Sequence, residues 1–147
     1  MTVGTLVLVA GSARGEALVL TEPLSFWGGT DPAGRITDRR HPQHGAHLAG
    51  RVLVMPFGRG SSSSSSVLAE AIRTGTAPAA IVLSEPDPIL PLGAIVAQEL
   101  YGQTVPIVVL AQESYGTIRT GDVVTIAADE QRADPLVWSF PPAGEPA

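Results

Sequence analysis

A glycine- and serine-rich run, GRGSSSSSS over residues 58–66, holds the side chains best suited to chemistry in this sequence. Its composition alone is typical of a flexible linker. The run, however, follows the apolar segment 51–55 and precedes an amphipathic segment that begins at Val67, a pattern that predicts a turn between a strand and a helix. Free N–H groups at the start of a helix bind anions. We therefore interpret the run as a candidate anion-binding turn.

Each residue type within this turn has a physical use. Gly58 and Gly60 would let the backbone approach a ligand closely, Arg59 would add a positive charge, and the serine hydroxyls would add hydrogen-bond donors. No Gly-Lys-Ser or Gly-Lys-Thr follows the glycines, which disfavours nucleotide binding. Ser61 is followed by further serines and not by a closing glycine, so the nucleophile elbow of serine hydrolases is not matched.

Segment 24–34, LSFWGGTDPAG, is a second candidate for ligand binding. Ser25 and the backbone at Gly28 and Gly29 would offer hydrogen bonds, which would make the segment one wall of a site. The alternative is a surface loop anchored by its two aromatic side chains. The sequence leaves both interpretations open.

Three histidines, His41, His44 and His47, fall within a short loop that also contains proline and glycine. Three imidazoles that lie close together are a possible zinc-binding set, but this spacing lies on no predicted helix or strand. We expect a solvated loop or the rim of an active site instead.

Glu85 and Asp87 follow the predicted strand 79–83, at a place where α/β sheets often carry functional groups. The same residues are equally suited to a turn and a helix cap. No catalytic role is therefore assigned to them.

The elements that must position these residues follow from apolar periodicity and from turn residues. Predicted strands cover 2–10, 16–20, 51–55, 79–83, 105–110, 123–127 and, as a final edge strand, 136–140. A turn is predicted over 11–15 and a long loop over 21–50. Helices are predicted over 67–73 and 91–101, and Gly102 would stop the second. The strand–helix–strand order occurs twice and predicts parallel crossovers. Strands at both ends of the chain would flank this α/β centre.

Length and composition limit the class of protein. The chain of 147 residues has 44% hydrophobic and 16% charged residues, which predicts one globular domain over 1–147 with a proline-rich tail at about 141–147. The net charge of −5 disfavours nucleic acid and anionic membrane surfaces as partners. Apolar runs fall far short of the roughly 20 residues that cross a bilayer, and no signal-type segment is recognised, so we expect a cytoplasmic protein.

Three segments together resemble the small-subunit family of aconitase X. They are 15–38, GEALVLTEPLSFWGGTDPAGRITD; 50–83, GRVLVMPFGRGSSSSSSVLAEAIRTGTAPAAIVL; and 92–110, LGAIVAQELYGQTVPIVVL. The similarity extends from about residue 15 to 129, and the order of the segments is far more specific than a serine run alone. The resemblance implies an α/β fold, namely a single swivelling β/β/α domain similar to the mobile C-terminal domain of aconitases. This domain would close over a large subunit.

The resemblance also implies a hydro-lyase whose site lies between two chains. Ser61 would be the proton-abstracting base, with Ser62 and Ser63 as substrate-binding neighbours beside Arg59 and Gly60. An iron or iron–sulfur centre is expected on the large subunit and no cofactor on this chain, whose sequence has no cysteine to supply thiolates. The iron would act as a Lewis acid on the departing hydroxyl.

The family includes two classes of substrate. The bacterial kind, dehydratases of cis-3-hydroxy-L-proline that yield a pyrroline carboxylate, is favoured over phosphomevalonate dehydratases. A different class of function remains open, namely a noncatalytic carboxylate-binding or regulatory module. A serine hydrolase would require one of the three histidines to approach Ser61.

Overall fold

A computed structural model describes residues 2–3, 6–129 and 136–142. The strands are β1 (Thr2–Val3), β2 (Leu6–Val9), β3 (Gly11–Val19), β4 (Val52–Met55), β5 (Ala80–Leu83), β6 (Ile107–Val109), β7 (Val123–Ala128) and β8 (Leu136–Phe140); the helices are α1 (Phe26–Gly29), α2 (Ser63–Thr74), α3 (Leu90–Tyr101) and α4 (Gln112–Tyr115). The strands form a sheet in the order β1-β8-β7-β3-β4-β5-β6-β2. Among the helices described, none is long and apolar enough to span a membrane.

Strands β3, β4, β5 and β6 form the parallel centre of the sheet. β4, β5 and β6 read VLVM, AIVL and IVV, and every residue in them is buried, as expected for parallel strands that are covered on both faces. α2 connects β4 to β5, and α3 connects β5 to β6. The two predicted parallel crossovers are therefore confirmed.

Side chains that alternate along the parallel strands face two different cores. On one face, Leu53 belongs to a cluster with Leu68 of α2. On the other face, Val54 belongs to a cluster with Val124 of β7. α2 and α3 pack against each other over the first face, and antiparallel strands cover the second. The result is the β/β/α layering that the family resemblance implies.

The antiparallel strands extend the sheet from the first half of β3. Residues 11–16 of β3 pair with β7, β7 pairs with β8, and β8 pairs with β1. At the opposite end of the strand order, β2 pairs antiparallel with β6. Ala10 alone separates the edge strand β2 from the central strand β3, so the sheet must curl to bring the two together.

The predicted turn over 11–15 is wrong, because β3 runs from Gly11 to Val19. Glycine is needed at position 15 for a different reason: a Cβ there would lie 2.7 Å from the carbonyl oxygen of Gly50, closer than a real Cβ approaches. Gly15 therefore marks a close crossing of two backbone segments. The predicted strand 2–10 is also divided, since β1 and β2 pair with different partners.

Other boundaries differ from the prediction in smaller ways. α2 begins at Ser63 and not at Val67, so most serines of the run are helical. β8 occupies the predicted strand 136–140 but lies between β7 and β1, so it is not the edge. The long loop 21–50 is confirmed apart from the short α1, and Gly102 ends α3 with φ 67° as expected. Of the predicted tail at about 141–147, residues 143–147 lie outside the described residues.

Candidate functional site

Ser61 lies at the N-terminal end of α2, just beyond the carboxyl end of β4. The backbone N–H of Ser63 donates to Ser61 Oγ at 3.2 Å, and the N–H of Ser64 donates to the Ser61 carbonyl oxygen at 3.0 Å. Serine is favoured at such positions because its hydroxyl accepts hydrogen bonds from otherwise unpaired N–H groups. The side chain of Ser61 is exposed, and its hydroxyl lies at the positive end of the α2 dipole.

Ser61 lines an open cavity of about 190 Å³. Arg59 and Gly60 line the cavity from the same loop, and Glu85 and Asp87 line it from the loop that follows β5. The parallel pairing of β4 and β5 explains this arrangement, because the carboxyl ends of neighbouring parallel strands open at the same edge of a sheet. The fold therefore brings the predicted serine turn together with both acidic residues whose role the sequence leaves open.

The loop that contains Ser25 packs beside the serine turn. Leu24 forms a parallel bridge with Gly58, and its carbonyl oxygen accepts the N–H of Arg59 at 3.1 Å. Gly60 has φ 106°, and a Cβ on it would overlap Ser25 Oγ. Only glycine lets the two loops approach this closely. Ser25 is thus adjacent to the serine turn although the two are distant in sequence.

Ser25 and Arg59 also line a second cleft of about 560 Å³, whose wall is mainly polar. Gly28 and Gly29 lie in this wall, but the Gly29 carbonyl oxygen already accepts the N–H of Thr37 at 2.9 Å. The charged side chains of the wall are Glu22, Asp38, Arg40 and Arg59. These four side chains give the wall of the cleft mixed charge. Sequence reasoning selected Arg59 alone, because the other three charges lie among turn residues with no distinctive spacing.

The serines that follow Ser61 take different positions. Ser62 and Ser63 are exposed and do not line the cavity that Ser61 lines. Ser64 does line it, is 3% exposed, and accepts the N–H of Trp27 through Oγ at 3.3 Å. Sequence reasoning missed Ser64. Its spacing of four residues from the buried Leu68 was the available signal, since residues at this spacing share one helix face.

Asp87 is buried, with 7% of its surface exposed. Its Oδ1 accepts the N–H groups of Ile89 at 2.7 Å and of Leu90 at 3.2 Å, at the start of α3. This geometry is the helix-cap role that the sequence leaves open. The other oxygen, Oδ2, accepts the N–H of Gly58 at 2.9 Å. Glu85, in contrast, is exposed at the rim of the cavity.

His41 has a structural role in the long loop. The ring is 5% exposed; Nδ1 accepts the N–H of Gln43 at 3.0 Å, which leaves Nε2 to donate to the carbonyl oxygen of Glu22 at 3.1 Å. Both ring nitrogens are therefore engaged with backbone groups, whereas His44 and His47 are exposed. The cavity that contains Ser61 has no histidine in its wall, so this geometry does not form the serine–histidine pair of a hydrolase.

We expect His41→Ala to destabilise the fold without any dependence on zinc. The substitution removes the partners of a backbone carbonyl and a backbone N–H, which predicts a loss of about 2 kcal/mol in the free energy of unfolding. The measurement is the free energy of unfolding of the wild type and the variant, from urea denaturation with and without zinc. His44→Ala, at an exposed position of the same loop, should stay within about 0.5 kcal/mol of the wild type. A zinc-dependent gain in wild-type stability that His41→Ala removes would contradict this role.

The described part of this chain does not fit an iron centre. The sequence has no cysteine, and in residues 2–3, 6–129 and 136–142 no group of three or more histidine, aspartate or glutamate side chains could hold a metal ion. Any metal in the working site would need ligands from outside this part of the chain.

An apolar groove of about 450 Å³ runs between α1 and α2 on the other side of Trp27. A hydrogen bond from the Arg35 backbone holds the pKa of Asp31, on the rim, below its ordinary value. A side-chain hydrogen bond from Arg73 likewise lowers the pKa of Glu70. Both carboxylates therefore carry negative charge at neutral pH.

Comparison with known proteins identifies the family of this chain. Residues 3–134 match the family model of the aconitase X swivel domain. A cis-3-hydroxy-L-proline dehydratase of Pseudomonas aeruginosa is 58% identical over 106 residues, which make up 71% of this chain and 18% of that protein. The phosphomevalonate dehydratase small subunit of Methanothermobacter thermautotrophicus is 47% identical over 98 residues, 66% of this chain and 75% of that subunit.

A solved structure shares the fold. The holo-form crystal structure of Thermococcus kodakaraensis aconitase X aligns with a TM-score of 0.78 and 33% sequence identity, over 92% of this chain and 97% of that chain. The present chain thus spans less than a fifth of the Pseudomonas dehydratase that it matches, but nearly all of the matched aconitase X chain. On these matches, the chain belongs to the aconitase X swivel domain family.

Proposed function

We propose that this chain is the swivelling part of an aconitase-X-type dehydratase and that Ser61 is its proton-abstracting base. The observation that carries the proposal is the exposed Ser61 hydroxyl at the N-terminus of α2, in an open cavity that Arg59 also lines. Family membership supplies the type of reaction, since relatives carry the names of dehydratases.

The surroundings of Ser61 suit an alkoxide. A serine hydroxyl is a poor base at neutral pH unless positive potential stabilises its ionised form. The N–H of Ser63 already donates to Ser61 Oγ, and the first turn of α2 adds its dipole. Arg59, whose guanidinium donates to the carbonyl oxygen of Pro23 at 3.2 Å, would add positive charge from the wall of the same cavity. Each of these groups would stabilise the ionised oxygen more than the neutral hydroxyl.

The proposed reaction is the loss of water from a small hydroxy acid. Ser61 takes the proton from the carbon beside the carboxylate, and the electron pair left behind forms a double bond as the C–O bond on the next carbon breaks. With cis-3-hydroxy-L-proline, the resulting enamine takes up a proton and becomes a pyrroline carboxylate. We assign the group that assists the departing hydroxyl, an iron or iron–sulfur centre, to a large partner, because the sequence has no cysteine and the described residues form no cluster of metal ligands.

The mixed-charge cleft, which shares Arg59 with the cavity that Ser61 lines, favours an imino acid as the substrate. Cis-3-hydroxy-L-proline is a zwitterion, and Arg40 and Arg59 would face its carboxylate while Glu22 and Asp38 would face its ammonium group. Phosphomevalonate carries a phosphate and a carboxylate, so the two acidic side chains would repel it. The 58% identity to a cis-3-hydroxy-L-proline dehydratase points in the same direction.

A phosphomevalonate dehydratase small subunit is the second candidate. The observation that favours it is the share of each relative's length that the match covers. The matched region makes up 75% of the Methanothermobacter small subunit but only 18% of the Pseudomonas protein. The name "small subunit" implies a large partner subunit. In our proposal, this partner covers the open cavity and completes the site.

Reconstitution with a large aconitase X chain tests the substrate. We expect the complex to turn over cis-3-hydroxy-L-proline with a kcat/KM at least about 100-fold above that for phosphomevalonate, and neither chain alone to turn over either compound. The measurement is product formation by the complex and by each chain separately. Turnover of phosphomevalonate alone would establish the second candidate, and binding of a carboxylate without turnover of either compound would support a noncatalytic module.

A further inference from the structure

We infer that Asp87 is a positioning residue for Ser61: it ties the serine turn to the start of α3 and so fixes where the base lies. The inference rests on the proposed function, because it concerns the placement of the proposed base. Nothing in the sequence distinguishes Asp87 from an ordinary helix cap, and the distinction comes from its second oxygen.

The two oxygens of Asp87 bind two separate parts of the chain. Oδ1 accepts the N–H groups of Ile89 and Leu90 at 2.7 Å and 3.2 Å and thereby caps α3. Oδ2 accepts the N–H of Gly58 at 2.9 Å, across 29 positions of sequence. A carboxylate that served only as a cap would need the first set of contacts alone. The contact to Gly58 instead reaches the loop that leads to Ser61.

The loop is held from both sides. The N–H of Gly58 is bound by Asp87, and the N–H of the next residue, Arg59, is bound by the carbonyl oxygen of Leu24 at 3.1 Å. The fit at Gly58 is also close, since a Cβ there would overlap Asp87 Oδ2. Two successive N–H groups therefore have fixed partners, which determines the path of the backbone immediately before Gly60 and Ser61.

The charge of Asp87 is compensated where it lies. Three N–H groups converge on the carboxylate, and the N-terminus of α3 adds its positive dipole. The carboxylate can therefore line the cavity of Ser61 without strongly opposing an alkoxide there. Asparagine, a neutral residue of the same size, should change mainly the geometry of the loop. Its NH₂ group would face the N–H of Gly58, and two hydrogen-bond donors cannot bind each other.

The test uses Asp87→Asn in the complete enzyme with its large partner. We expect kcat for cis-3-hydroxy-L-proline to fall about 10- to 100-fold, as for a catalytic group displaced by a fraction of an ångström to one ångström. KM should change less than about 3-fold, since the variant leaves the charged cleft intact. With substrate deuterated at the carbon that loses its proton, the isotope effect on kcat should rise, because proton transfer becomes slower than the other steps.

Asp122→Asn is the matched control. Asp122 Oδ2 accepts the N–H of Arg119 at 2.9 Å and the hydroxyl of Ser139 at 3.0 Å, so it also joins two parts of the chain, but beside β7 and β8. We expect this variant to lose stability to a similar extent while kcat and the isotope effect stay at wild-type values.

Two outcomes separate the inference from the proposed function. Wild-type kcat and isotope effect in Asp87→Asn, with stability lowered as in Asp122→Asn, would overturn the positioning role and leave Asp87 as a cap. Wild-type activity in a Ser61→Ala enzyme would instead overturn the role of Ser61 as the base.

If Asp87→Asn does not fold, Gly58→Ala disturbs the same contact without changing a charge. The expected loss of kcat is the same, and its absence would overturn the inference.

Discussion

Replacing Ser61 with alanine is expected to lower the kcat of the reconstituted enzyme roughly a thousandfold, the contribution of a general base. The substitution removes the only oxygen that the proposal uses to accept the substrate proton. The fold should survive, because the Ser61 side chain is exposed and the lost hydrogen bond from the N–H of Ser63 is worth about 1 kcal/mol. The measurement is kcat under saturating cis-3-hydroxy-L-proline, with binding followed separately by calorimetry.

Ser66→Ala is the matched control for Ser61→Ala. Ser66 is another exposed serine of the same run, within α2, but it lines the apolar groove and not the cavity of Ser61. The control should keep wild-type kcat. Ser61→Ala should still bind substrate with an affinity within about 10-fold of the wild type, since the charged cleft is unchanged. More than a tenth of wild-type kcat in Ser61→Ala would show that another group takes the proton.

Gly93→Ala is expected to cause the largest loss of stability, about 3 kcal/mol. Gly93 is buried in α3 where that helix packs on α2, and a Cβ there would overlap the carbonyl oxygen of Ser65 and lie 3.1 Å from its Cα. These are backbone atoms, which cannot rotate away as a side chain can, so the two helices would have to separate. We expect a fall of roughly 10 °C in Tm by calorimetry.

Gly116→Ala is the matched control for this prediction. Gly116 has a right-handed φ of −68°, and its added Cβ would lie 3.4 Å from the carbonyl oxygen of Gln112. Its effect should stay within about 0.5 kcal/mol. Gly93→Ala should also lower kcat in the complex, because Ser65 lies in the first turn of α2, which Ser61 precedes by two residues. Equal Tm values for the two variants would contradict the close helix contact.

Much of the fold was predictable because its signals are local. The apolar runs of β4 and β5 predict buried strands, and the intervening amphipathic segment predicts the helix that joins them. Gly102 ends α3 as its sequence position indicates. The serine turn was also predictable as a site, since the order strand, glycine, serine, helix is contained in one short stretch of chain.

Features that depend on contacts between distant segments were not predictable in this way. Gly15 is typical of a turn by composition, but it lies within β3, where glycine is needed because the backbone of Gly50 passes too close for a Cβ. Strand 136–140 was expected at an edge, whereas pairing with Thr2–Val3 makes it internal. Sequence patterns report the local periodicity of a segment and not its neighbours in the sheet.

The sequence by itself determined the layered α/β fold, the family resemblance and the serine turn with Ser61 at a helix N-terminus. The tertiary structure alone decided which residues surround that serine: Ser25 through its contact with Gly60, Ser64 from the buried face of α2, and Asp87 through the N–H of Gly58. The physical reason is that a hydrogen bond across tens of residues depends on how two loops meet at the edge of a curled sheet. No residue type or spacing within either loop predicts the contact between them.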